Sequence, residues 1–176
     1  IAGLTAAGAE VKQLGVLPTP AVAYLTRAMI AQVGVMITAS HNSFEYNGLK
    51  FFNHKGAKIS DQREEAIIHY LGQEMKMVPV DQLGASTRVR DAQGRYIEFC
   101  KASLPSFFSL YGLKVVLDCA HGATTTVARH VFSELGAEVV CIGDAPDGLN
   151  INHQCGSLDM QSLKEMSSEG MIIGSH

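Results

Sequence analysis

The sequence predicts an α/β protein of two domains with mixed, largely parallel sheets, and three observations carry that expectation. Short apolar runs rich in β-branched residues (33–37, 113–117, 138–142) alternate with segments of helical periodicity. The first two runs break abruptly into polar or small residues, as buried strands do when they feed a site at the carboxyl edge of an open sheet. Residues 79–91 are polar and irregular, so the boundary is placed near residue 90, dividing the chain into 1–90 and 91–176.

Taken in order, Ile1, Leu4, Ala7, Gly8 and Val11 recur at helical spacing and predict a packed helix over residues 1–12. Residues 14–17 read as a short strand closed by Pro18. Thr19-Pro20 then opens a helix, threonine as N-cap and proline in the first turn, burying Val22, Leu25, Ala28 and Met29. Strand, helix and the run at 33–37 together predict a right-handed parallel crossover. Residues 57–60 read as a second short extended piece. Asp61 and Glu64 have capping-box spacing, and Ile67, Ile68, Leu71 and Met75 supply an inner helix face.

Past residue 90, a helix presents Tyr96, Phe99 and Cys100 on one face, ending at Pro105. Strand 113–117, turn 118–122 and helix 123–135 follow, with Gly136 as the stop before strand 138–142. A polar loop at 143–157, a helix at 159–168 and an apolar run at 171–173 complete the chain. No internal repeat or low-complexity tract is evident. The absent initiator methionine and the three residues left after position 173 suggest a chain truncated at both ends.

The 176 residues are 47% hydrophobic and 18% charged, with net charge −3 and no charged blocks, which predicts neither nucleic-acid nor membrane-surface partners. No apolar run approaches transmembrane length, and residues 1–8 lack the basic n-region of a signal peptide. Cys100, Cys119, Cys141 and Cys155 form no C-x-x-C pair and read as reduced cysteines of a cytoplasmic protein. A zinc site from Cys119, His121, His153 and Cys155 is a sharper alternative, at spacings tighter than structural zinc sites usually use.

The chemistry gathers between residues 38 and 50. Thr38, Ser40, His41, Asn42 and Ser43 follow an apolar strand, and the Asn47-Gly48 turn returns the chain with Lys50. Ser40 fits no hydrolase elbow, since Thr38 and Asn42 stand where glycines are needed. Hydroxyl and amide side chains satisfying backbone groups in a turn are one reading. A phosphoserine at Ser40 is another: its charge of about −2 needs a divalent metal or cations, and Lys50 is the available cation.

Thr38-Ala39-Ser40-His41-Asn42, with Asn47-Gly48-Leu49-Lys50-Phe51-Phe52 and Gly56, resembles the phosphoserine loop of the α-D-phosphohexomutases. The resemblance extends to Leu17-Pro18-Thr19-Pro20-Ala21-Val22-Ala23-Tyr24 and Gly94-Arg95-Tyr96-Ile97-Glu98-Phe99-Cys100-Lys101. It continues through Asp118-Cys119-Ala120-His121-Gly122-Ala123 and Asp147-Gly148-Leu149-Asn150-Ile151-Asn152. It covers nearly the whole chain and implies two phosphohexomutase-type domains, of which the second lacks its metal-binding loop.

The implied reaction interconverts glucosamine 6-phosphate and glucosamine 1-phosphate for UDP-N-acetylglucosamine synthesis. Phosphorylated Ser40 donates to the sugar phosphate, and the resulting bisphosphate returns its other phosphoryl group. The resemblance also implies Lys50 as general acid/base, His41 as a polar support, and magnesium held by the Ser40 phosphate and an acidic loop. A mannose or glucose phosphate is the alternative substrate within the family, and a non-catalytic remnant or sugar-phosphate-binding module the alternative outside it. Three departures stand out. Ser43 replaces a usual proline, His121 replaces a usual asparagine, and Gly174-Ser175-His176 stands where the family has its acidic Asp-Gly-Asp-Gly-Asp-Arg loop. The chain by itself is therefore expected to be inactive.

Overall fold

A computed structural model describes residues 1–167 and 172–175. The elements run α1 (Ala2–Ala6), β1 (Val11–Gln13), α2 (Thr19–Ala28), β2 (Val33–Thr38), β3 (Gly48–Asn53) and α3 (Asp61–Leu71). A 3-10 turn (Val80–Gln82), β4 (Ser86–Arg88), α4 (Ala92–Ala102), β5 (Lys114–Asp118), α5 (Thr125–Glu134), β6 (Glu138–Ile142), α6 (Gln161–Ser167) and β7 (Ile172–Ser175) follow. The α/β alternation is as expected, arranged in three small sheets: parallel β1–β4, antiparallel β2–β3, and parallel β6–β5–β7.

The second half matches the sequence reading closely. Strand β6 falls on residues 138–142, β5 starts one residue later than expected, and Gly136 ends the preceding segment with φ +100°. Helix 159–168 is realised as Gln161–Ser167, and Ser168 lies outside the described residues. The apolar run begins at Met171, also outside them, and its remainder pairs with β5 as β7. Central β5 is buried from Val115 onward, the mark of a strand covered on both faces. Cys119, Ala137 and partly buried Phe132 pack on one face, with Leu163 on the other.

The first half corrects several expectations. The first helix stops after five residues, because Gly8 adopts φ +83° and turns the chain into a strand at Val11–Gln13. Residues 14–17 are irregular rather than a strand: Gly15 at φ +83° lies against the Arg88 guanidinium, and Leu17 is buried without pairing. The predicted parallel crossover therefore does not form, and β2 pairs antiparallel with β3 from Val33↔Asn53 to Thr38↔Gly48. Residues 79–91 are not merely a connection, since β4 within them returns to pair with β1.

Helix α2 starts one residue earlier than expected, with Pro18 as N-cap and no side-chain capping bond. It buries Ala21, Val22, Leu25 and Thr26, while Ala28 is exposed and Met29 is partly buried. It sits directly on β2: the Thr26 hydroxyl donates to the Val22 carbonyl at 2.7 Å, and a Cβ on Gly34 would fall 2.0 Å from that hydroxyl oxygen. The expected capping box of α3 is absent, and its inner face is only half-formed. Ile67 is partly buried, whereas Ile68 and Leu71, and Met75 beyond the helix, are exposed.

The two halves share a core. Leu17, Ala21 and Leu25 pack with Ala92, Tyr96, Ile97 and Val127, and Tyr24 stacks on Phe99 with ring centroids 3.9 Å apart. Burial, helped by a hydrogen bond with Cys100, pushes the Tyr96 phenol up to about 12. Lys101 on α4 bonds to Glu98 and to Glu134 on α5, adding a polar tie at the rim.

Candidate active site

Strand β2 ends at Thr38, and the next two residues set the site. Ala39 is buried and anchors the turn. Ser40 takes the left-handed conformation, φ +57°, and is exposed. Left-handed backbone is costly for a residue with a Cβ, at about 1 kcal/mol or more. Two local bonds hold it: the Ser40 N–H donates to Thr38 Oγ1 at 3.0 Å, and the Asn42 N–H donates to the Ala39 carbonyl at 3.0 Å. The serine hydroxyl is thereby carried on a bent, fixed backbone facing water. His41 and Asn42 are exposed beside it.

Lys50 pairs with Met36 in the antiparallel register, so it shares a sheet face with Thr38 and Gly34. It is half-buried, two positions in from the Thr38↔Gly48 end, and pairs with no carboxylate among the described residues. Ser40, His41 and Lys50 thus lie at one end of one hairpin. Ser43 uses its hydroxyl on Glu45, whose carboxyl is held below the usual carboxylate range chiefly by that bond.

The loop after β5 repeats much of the serine loop's hydrogen bonding and its left-handed third residue, although His121 is left-handed as well (φ +51°) and His41 is not. Thr38-Ala39-Ser40-His41-Asn42 corresponds to Asp118-Cys119-Ala120-His121-Gly122, each starting on the last residue of its strand. Asp118 Oδ1 accepts the Ala120 N–H at 2.9 Å as Thr38 Oγ1 accepts that of Ser40. Cys119 is buried like Ala39, Ala120 has φ +51°, and the Gly122 N–H reaches the Cys119 carbonyl at 2.7 Å. The sequence hid this repeat because the roles are filled by different residue types, with only the histidine shared.

The third component is the 143–157 loop. The second oxygen of buried Asp118 accepts the Gly156 N–H at 2.6 Å, and His121 Nδ1 accepts the Ala145 N–H at 3.2 Å. The Asp147 and Asn150 side chains close their turn through bonds of 2.8–3.0 Å to backbone groups: Asp147 Oδ1 accepts the Leu149 and Asn150 N–H groups, Asn150 Oδ1 accepts the Asp147 N–H, and Asn150 Nδ2 donates to the Ala145 carbonyl. Asn152 then reaches out: its Nδ2 donates to the Ser40 carbonyl at 2.9 Å and to the Asn42 carbonyl at 2.7 Å. Sequence reasoning passed over Asn152 as a functional residue, quoting it only within a motif.

The zinc alternative does not hold. All four cysteines are free, Cys119 and Cys155 are buried, and no group of three His, Cys, Asp or Glu could hold a metal among the described residues. Burial first, then neighbouring Cys141, pushes the Cys119 thiol up to about 12, which disfavours the thiolate that a metal requires. Ser40 is likewise an isolated metal candidate: its hydroxyl, or a phosphate on it, would supply one ligand position of the several magnesium needs.

An exposed serine just past a strand's carboxyl end, on the hairpin that carries a half-buried lysine, is what the first half offers as a site. Residues 1–78 match the family model described as phosphoglucomutase/phosphomannomutase, alpha/beta/alpha domain I, and the chain belongs to this phosphohexomutase family. Among individual proteins, it is 57% identical over 164 residues to the phosphoglucosamine mutase of Nitrosospira multiformis, matching 93% of this chain and 35% of that protein. The chain thus spans about a third of the length of such curated relatives.

Solved structures agree on the fold. A phosphoglucomutase/phosphomannomutase family protein of Burkholderia thailandensis superposes with TM-score 0.75 at 22% identity, over 95% of this chain and 36% of that one. An Aspergillus fumigatus N-acetylphosphoglucosamine mutase, solved with GlcNAc-6P and magnesium, superposes with TM-score 0.51 at 14% identity, over 93% and 47%.

Proposed function

We propose that the protein bearing this chain is a phosphoglucosamine mutase, interconverting glucosamine 6-phosphate and glucosamine 1-phosphate through a phosphoserine at Ser40. The observation that carries the reading is the exposed Ser40 in a left-handed turn at the end of the hairpin that bears Lys50, in a chain 57% identical to a protein of that name. In the transfer, the P–O bond to Ser40 Oγ breaks as one forms to the sugar hydroxyl. Lys50 takes the proton that leaves the sugar oxygen, and the departing Ser40 Oγ, exposed to solvent, takes one from water. The bisphosphorylated sugar then turns round and returns its other phosphoryl group to Ser40, whose hydroxyl proton passes to water as Lys50 gives its proton back to the sugar oxygen. Phosphoryl transfer asks mainly for positioning and charge neutralisation, which a fixed serine, a lysine and His41 as a polar neighbour supply.

Magnesium bound to the Ser40 phosphate would neutralise its charge, but the described residues do not complete such a site, so no step here runs through the ion. Residues 1–90 and 91–176 are read as two domains joined through the α2–α4–α5 core. No helix among the described residues is long and apolar enough to cross a membrane. Cytoplasmic amino-sugar metabolism supplying cell-wall precursors fits that reading.

The test is peptide mass spectrometry of the protein purified from cells, with a coupled assay for glucosamine 1-phosphate formation. The Ser40 peptide is expected to carry one phosphate, Ser40→Ala to abolish turnover, and Lys50→Met to reduce it by about 10²–10⁴-fold. Undiminished isomerisation by Ser40→Ala would overturn the proposal.

A further inference from the structure

Asn152 holds the serine loop from outside, and the same residue holds the β5 loop at the equivalent atom. The Asn152 N–H donates to the Ala120 carbonyl at 2.9 Å, while its side-chain amide donates to the Ser40 carbonyl at 2.9 Å. Ala120 and Ser40 occupy the same place in the two repeated turns, each in the left-handed conformation. The second amide proton takes the Asn42 carbonyl at 2.7 Å, bracketing His41. Asn152 is itself left-handed, φ +59°, a conformation asparagine tolerates better than most residues. Its loop is anchored behind it by buried Asp118 through Gly156.

We propose that Asn152 is a positioning residue for phosphoryl transfer, registering the serine loop of the first half against the β5 loop of the second through equivalent carbonyls. This rests on the functional reading above for its kinetic consequence but not for its structural one. A carbonyl held on each side of His41 fixes the peptide planes that carry Ser40 Oγ, so both directions of transfer start from one geometry. Without the clamp, the strained Ser40 backbone can relax, and small displacements of a reacting atom cost rate out of proportion to their size.

The substitutions that isolate this role are Asn152→Gly, which keeps the left-handed backbone and deletes the amide, and Asn152→Asp, which turns a carboxylate against two carbonyl oxygens. In the full protein, backbone amide exchange at Asn42 is expected to rise about tenfold in both, with exchange at Val116 in β5 unchanged. The kcat is expected to fall about 10–100-fold, Asn152→Asp the lower, with KM within about threefold. Unchanged exchange at Asn42, a parallel rise at Val116, or faster loop exchange with wild-type kcat would each overturn the proposal. A wild-type protein that carries no phosphate and turns nothing over would sink the proposed reaction instead, and the exchange comparison alone then decides whether the clamp exists.

Discussion

The loops after β2 and β5 share a left-handed third residue and the hydrogen bonds that frame it, part at the histidine that follows, and differ in what surrounds them. After β5, the first residue is a buried carboxylate accepting two backbone N–H groups, the second is buried Cys119, and the third is buried Ala120. After β2, the first is a threonine hydroxyl accepting one N–H, the second is buried Ala39, and the third is exposed Ser40. One turn is closed over by the 143–157 loop and serves as scaffold; the other is left open and carries the hydroxyl proposed to take the phosphoryl group. The same left-handed conformation can thus lock a fold or present a side chain to solvent, depending on whether water reaches its third residue.

The largest effect that could break this contrast is expected at the first position of each turn. Asp118→Ala strands two buried N–H donors, Ala120 and Gly156, and should destabilise the protein by roughly 3 kcal/mol. Thr38→Val removes the acceptor of an exposed N–H that water can satisfy, and should cost no more than about 1 kcal/mol. Denaturant melts of the two variants check this, and equal losses would mean that the open loop is as structural as the closed one.

The same contrast accounts for how much of the molecule was legible in the sequence. The covered strands β5 and β6 read clearly because their side chains answer to one apolar environment, and Glu138–Ile142 emerged at its observed bounds. The first half did not. Gly8 and Gly15 redirect the backbone by positive φ, which apolar periodicity does not encode, and the strand moved from 14–17 to Val11–Gln13. Partners far along the chain were invisible too. Nothing near Val11 announces pairing with Ser86, and nothing near Ser40 announces Asn152. The chemistry of residues 38–50 could be read locally because it is local, whereas the clamp holding it comes from more than a hundred positions away.

A smaller effect is expected at the third position. Ser40→Gly relieves left-handed strain worth about 1 kcal/mol or more, against the roughly 0.5–1 kcal/mol that glycine loses in chain entropy. The protein should gain a few tenths of a kcal/mol while losing phosphate uptake altogether. Ala120→Gly relieves the same strain but gives up a buried methyl, and should be near neutral or slightly destabilising. Thermal melts of both variants beside Ser40→Ala separate strain from side-chain loss. A destabilised Ser40→Gly would show that the serine hydroxyl itself holds the turn.

The smallest effect lies just past the open turn. Ser43 gives the loop a hydroxyl that bonds Glu45, where the family pattern expects proline. Because that bond lowers the folded-state pKa of Glu45, its contribution is present above the unfolded value near 4.5. It is lost as pH falls through the lower folded value. The carboxylate is fully exposed, so water competes and the effect on stability is slight; the titration itself is the sensitive observable. Carbon-detected NMR should place the Glu45 midpoint below 4.5 in the native protein and higher, though still held down by its own backbone bond, in Ser43→Pro and Ser43→Ala alike. Should Ser43→Ala leave the midpoint unmoved, the hydroxyl is not its cause, and replacing proline by serine has only loosened the backbone after Asn42.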